Sequence, residues 1–157
     1  MAKNLVRIPV YEKFLHQSNC SVPQIRLSLD VRTRYGQFIR VPFRFDTGSD
    51  FTTISIADAE RLGIPYSKTT PVFPTAVTGK TQRPSYLSTI RFSFPELSHL
   101  QFEGLCSFSP YPLKRSLLSL TDIAPNFLIR SARASQTCPH GSVLFRLRDD
   151  HRGQPRP

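Results

Sequence analysis

Tryptophan is absent from this chain of 157 residues, methionine occurs once, and no long Ala/Leu/Glu/Lys run of the kind that builds helices is present. These absences argue against a helical bundle, and the 12 Phe and 14 Pro found instead point to β structure interrupted by many turns. Acidic residues are also scarce: 11 Asp plus Glu stand against 21 Lys plus Arg, a net charge of +10. The basic residues form no consecutive block, so they read as Arg side chains lining the solvent faces of strands. The aromatic, Gly-rich strand motif of RNA readers is missing too, and nucleic acid is not an expected partner.

The three cysteines, Cys20, Cys106 and Cys138, are odd in number and lack Cys-x-x-Cys spacing, and no apolar signal core follows Met1-Ala2-Lys3-Asn4. This suggests a reducing, cytoplasmic setting. No stretch approaches the roughly 20 apolar residues of a spanning helix, and Ala2 stands where myristoylation requires Gly, so no membrane association is expected. Cys138-Pro139-His140 is too tight for a zinc pair and has no second pair to complete it. His16, His99 and His151 have no recognisable triad partners. Neither metal nor cofactor is expected.

Alternation of apolar and polar residues marks the strands. Val6, Ile8 and Val10 suggest an edge strand, with Pro9 removing a ladder donor. Ile25, Leu27, Leu29 and Val31 share one face of the next, and a turn at Tyr35-Gly36-Gln37 leads into Ile39, Val41, Phe43 and Phe45, which predicts a hairpin. Ser55 with Asp58 three residues later reads as a capping box for a short helix that Gly63 and Pro65 close. Residues 72–77 and 86–94 bracket a Gly79-tipped hairpin. Leu100, Phe102, Cys106 and Phe108 form a further strand face, interrupted by Gly104 as if at a bulge. Leu117-Leu118-Ser119 precedes a brief helix near Pro125, residues 131–142 read as a loop, and Val143, Phe145 and Leu147 form a last strand. Residues 1–148 are expected to form one domain, and 149–157 a disordered tail.

The chemistry concentrates at Val41-Pro42-Phe43-Arg44-Phe45-Asp46-Thr47-Gly48-Ser49-Asp50, where an acid, a hydroxyl and a glycine follow an apolar strand. This segment resembles the active-site signature of retropepsin-like aspartic proteases, and the match as a whole is closer to the bacterial members than to the retroviral enzymes. The order of elements over 22–147 resembles the same family: a hairpin before the acid, a helix ending in Leu62-Gly63-Ile64-Pro65, a flap-like hairpin, and Leu117-Leu118-Ser119 in place of the family's apolar-apolar-Gly element.

The resemblance implies an all-β, single-lobe acid-protease fold: a closed barrel with a flap hairpin and one or two short helices. It implies Asp46 as the catalytic carboxylate, supported by Thr47, Gly48 and Ser49, with Thr47 bonding across a two-fold axis. Val77, Thr78, Gly79 and Lys80 become the flap over a peptide substrate, and Leu117, Leu118 and Ser119 the second structural motif. One Asp-Thr-Gly per chain supplies half a dyad, so a homodimer is expected, its partner bringing the second Asp46. The strands at 6–10 and 143–147 are expected to be free to pair between chains. Two carboxylates a few ångströms apart cannot both be ionised cheaply; they share a proton and act as acid and base on a water.

Two alternatives remain open from the residues alone. Asp46 and Gly48 are also ordinary turn residues, and Gly79 suits an ordinary surface hairpin. Ser119, where the family has Gly, motivates a weak or inactive peptide-binding or dimerisation module, or a helix cap at Ser119-x-x-Asp122.

Overall fold

The computed structural model of the chain describes residues 4–73 and 83–157. The strands are β1 (Leu5–Leu15), β2 (Cys20–Arg32), β3 (Phe38–Asp46), β4 (Thr52–Ser55), β5 (Pro71–Val72), β6 (Ser85–Ser93), β7 (Leu100–Ser109), β8 (Ser116–Ser119), β9 (Phe127–Ala132), β10 (Ser142–Leu147) and β11 (Gln154–Pro155). Two short helices, α1 (Ile56–Leu62) and α2 (Leu120–Ile123), and a 3-10 turn at Pro95–Leu97 complete the elements among the described residues. The protein is mostly strand with few short helices, as the composition implies. Strand neighbours run β5-β6-β7-β4-β8-β3-β2-β1-β10-β9, with β11 beside β7 and a second pairing between β6 and β2.

The β2–β3 hairpin forms as the alternation predicts, from Ile25↔Phe45 to Arg32↔Phe38. Leu29, Val31, Val41 and Phe43 are buried by one face, while Arg40 and Arg44 project from the other. Phe45 leads into a group of rings with Phe145, Phe94, Phe127 and Phe102, whose centroids lie 5.1–5.3 Å apart for the pairs 45–145, 94–127 and 102–127. Edge-to-face and tilted contacts at this spacing add to the burial term, and truncating one such ring to Ala costs about 3–5 kcal/mol.

The helix caps also follow the sequence. Ser55 Oγ accepts the Asp58 N–H (3.1 Å) and donates to the Asp58 carboxylate (2.9 Å). The Arg61 guanidinium and then the Ser55 hydroxyl hold the Asp58 carboxyl below the usual range. Gly63, at φ +70°, closes α1 in the left-handed conformation that a residue with a Cβ adopts at a cost. The helix after β8 spans one turn and ends before Pro125.

Several expectations are corrected. The strands at 6–10 and 143–147 are not free edges, because Leu5–Pro9 of β1 pairs with Ser142–Arg146 of β10, and β9 covers the other side of β10. The loop expected over 131–142 is shorter, since β9 continues to Ala132. Gly104 is no bulge: the β6–β7 register runs unbroken from Tyr86↔Phe108 to Phe92↔Phe102. The segment 149–157 differs from a disordered tail. Gln154 and Pro155 pair with β7, the Arg152 N–H donates to Asn126 Oδ1 (2.8 Å), and the Arg156 guanidinium lies 3.7 Å from the Phe38 ring centroid and 3.6 Å from Asp30. Local cation–π and ion-pair contacts hold a segment whose composition carries no apolar signal.

Candidate active site

Asp46 is the last residue of β3, and the strand that reaches it is anchored by buried Phe43 and Phe45. Just before it, β8 lies between β3 and β4, parallel to the first and antiparallel to the second, with Asp46 in register with Ser119. Two chain segments far apart in sequence therefore end side by side. The Asp46 side chain is 33% exposed. Its Oδ1 accepts the Gly48 N–H (3.0 Å), and its Oδ2 lies 3.5 Å from the Arg44 guanidinium. The loop folds back on itself through the Ser49 N–H to Asp46 O (3.4 Å) and Ser49 Oγ to Phe51 O (2.7 Å).

Thr47 and Gly48 are exposed, and the Thr47 hydroxyl makes no hydrogen bond among the described residues. A Cβ added to Gly48 meets only Asp46 Oδ1, at 3.5 Å, an ordinary contact. Packing within the chain thus leaves room for a larger residue at 48. Asp50 is exposed, and its carbonyl accepts the Thr121 hydroxyl (3.0 Å).

Leu118 and Ser119 are buried and Leu117 is half-buried. Ser119 Oγ donates to Ser49 O (2.6 Å), accepts the Thr121 N–H (3.2 Å) and meets the Thr121 hydroxyl (2.8 Å). Serine at this position is therefore a helix cap as well as a tie to the Asp46 loop, through Thr121 rather than the expected Asp122. Val77, Thr78, Gly79 and Lys80, expected as the flap, lie outside the described residues; β5 and β6 on either side of that segment pair at Pro71↔Tyr86 and Val72↔Ser85.

Cavities flank the loop on both sides. One of about 510 Å³ separates Gly48, Ser49 and Phe51 from Val72, Phe73 and Ser85. Another, of about 380 Å³, lies between Asp46 and Thr47 and the strand residues Val10, Val22 and Ile25. Phe73, 65% exposed, offers an apolar surface to the first.

Sequence reasoning missed the residues behind the loop. Thr52 accepts the Ser119 N–H (3.1 Å) and donates to Asp122 Oδ2, while Asp122 Oδ1 accepts the Leu105 N–H (3.1 Å). Burial pushes the Asp122 carboxyl up, only partly countered by these bonds. The signal was Gly104: a Cβ there stands 3.0 Å from the Asp122 carboxyl and 3.2 Å from Phe92, so the glycine is a notch for the acid.

Residues 31–103 match the model of a family described as aspartyl protease, a span that contains Asp46 but not Ser119. Among solved structures, the chain is similar to a retropepsin-like aspartic protease from Rickettsia conorii, with TM-score 0.58 and 14% identity over 91% of this chain and 90% of that one. A comparison with curated protein sequences gave no match. The resemblance read from the residues thus holds in both sequence and fold. Among the described residues, no helix is long and apolar enough to cross a membrane.

Proposed function

We propose that two copies of this chain form an aspartic endopeptidase, each contributing Asp46 to one dyad. The observation that carries this reading is the part-exposed Asp46 carboxylate at the end of a half-buried strand, fixed by its own loop and flanked by cavities. One carboxylate takes a proton from water as the other protonates the scissile carbonyl, and the roles then exchange. Exposed Thr47 is available to the partner's loop, and the space above Gly48 admits close approach of substrate backbone. Val77, Thr78, Gly79 and Lys80 serve in this reading as the flap on an extended peptide. In this reading the β6–β2 pairing closes the barrel, residues 1–148 are the working domain, and the three free thiols suit the cytoplasm. The pH optimum is acidic to near neutral.

A second reading, a peptide-binding or dimerisation module without catalysis, draws on Arg44, which at 3.5 Å occupies an oxygen that a dyad proton would bridge. Peptide cleavage by the purified protein, combined with its sedimentation behaviour, separates the two. The enzyme reading expects a dimer whose cleavage is lost in Asp46→Asn. Undiminished cleavage by that variant overturns it, and a stable monomer without activity favours the second.

A further inference from the structure

β1 changes partner in mid-strand. Val10–Leu15 pairs with β2, and Leu5–Pro9 with β10. β2 parts from β1 beyond Ile25 and meets β6 only at Asp30, its other edge being taken by β3 from Ile25 to Arg32. Two short strand edges, residues 6–9 and 26–29, therefore diverge without strand partners on these sides among the described residues. Between them lies a cavity of about 510 Å³, walled by both stretches and by Phe94 and Glu96. The Val10 N–H donates to Gly141 O (3.0 Å), so the even-numbered residues of β1 turn their backbone groups to β10, and Arg7 turns its own towards the cavity. Tyr11 faces Gln24 across the paired section, and the same alternation aims the backbone groups of Arg26 and Ser28 into the gap.

The charged side chains around this gap are mostly basic. Arg7, Arg26, Arg40 and Arg115 line it against Glu96. Arg40 is bonded to Asp30 (2.9 Å), but Arg7, Arg26 and Arg115 make no ion pair among the described residues. Arg26 is held by the neutral Gln24 amide (3.0 and 3.2 Å), 5.8 Å from the Tyr11 ring centroid, so it is oriented without being neutralised. It also sits directly opposite Arg44 in the β2–β3 register, a like-charge pairing that costs stability.

From this geometry we infer that the β1–β2 divergence is a docking site for an acidic, Asp/Glu-rich segment of a protein partner. Guanidinium forks suit carboxylates, and the unpaired backbone groups of Arg7, Arg26 and Ser28 suit a peptide main chain. A nucleic-acid strand fits less well. Glu96 opposes a continuous run of phosphates, and Tyr11 is the one exposed aromatic of this wall available to stack on bases. Binding here is separate from bond cleavage, and its test does not depend on the peptidase reading.

Fluorescence anisotropy of a labelled Glu-rich peptide, titrated with the full-length Asp46→Asn chain at low salt, reads the site directly. Arg7→Glu/Arg115→Glu weakens binding at least about tenfold. Arg130→Glu/Arg133→Glu, an equal charge change on exposed residues away from the cavity, weakens it no more than about twofold. Equal losses in the two double variants, no binding at all, or a single-stranded oligonucleotide bound more tightly than the peptide overturns the inference. If circular dichroism shows the first variant unfolded, Arg7→Gln/Arg115→Gln replaces it and must still weaken binding selectively.

Discussion

The ends of β3 and β8 lie side by side in parallel register, and they are built in opposite ways. At the end of β3, Asp46 and the exposed Thr47 and Gly48 are held chiefly by bonds within their own loop. At the end of β8, Ser119 is fully buried, with both its N–H and its hydroxyl bonded to other elements. The loop that presents the carboxylate is thus lightly tied in itself and rests on a frame that is heavily tied. Under the proposed function, such a division suits a carboxylate that meets a partner chain and a substrate without losing its position. It also assigns separate consequences to substitution: chemistry on one side, stability on the other.

Breaking the first side should have the largest effect. Asp46→Asn is expected to lower peptide cleavage by about 10²–10⁴-fold. Its melting temperature should stay near that of the parent, because the amide oxygen still accepts the Gly48 N–H; a collapse of the fold would show that the carboxylate is structural. Thr52→Val should do the reverse. It leaves the Ser119 N–H and the Asp122 carboxylate without their shared partner, at about 1–3 kcal/mol in urea unfolding, and it reduces activity only through the loop. Ser119→Ala removes the cap on Thr121 and the tie to Ser49, a loss of about 1 kcal/mol. An unchanged urea midpoint in either variant would mean that the frame does not bear on the loop.

The smallest expected effect is one of pH. Burial raises the folded-state pKa of Asp122 above its unfolded value near 3.9. Between those two values the folded protein keeps a proton that the unfolded chain has released. This group's contribution is therefore full below the unfolded value and declines as pH rises through the folded one. Asp122→Asn does not titrate, so its stability relative to the parent should improve from acid to neutral pH. A constant difference across that range would remove Asp122 as the source.

Much of this contrast was legible in the sequence, but not evenly. Period-two alternation announced the β2–β3 hairpin, because one face is buried and the other carries arginine. The Asp-Thr-Gly loop and the Ser55–Asp58 cap were visible because they are local, needing only residues a few positions apart. The frame was hidden for the opposite reason: Ser119 and Asp122 were visible only as a local cap, while their bonds to Thr52 of β4 and to Leu105 beside Gly104 of β7 join segments that no window of sequence holds together. The outer half of β1 escaped notice because Tyr11–Phe14 is exposed and shows no buried face. The chain's last residues were misread because backbone pairing and single-ring stacking hold them, with no apolar run to betray it.

The divided pairing of β1 also sets a timetable for folding. Its outer half finds β2 across a short turn, but its inner half must wait for β10, whose Val143 pairs with Ile8. On a ribosome adding roughly 5–20 residues per second, that delay is on the order of ten seconds. Throughout it, Val6 and Ile8 lack the strand that later covers them, and a nascent chain in this interval is the form that a chaperone would meet.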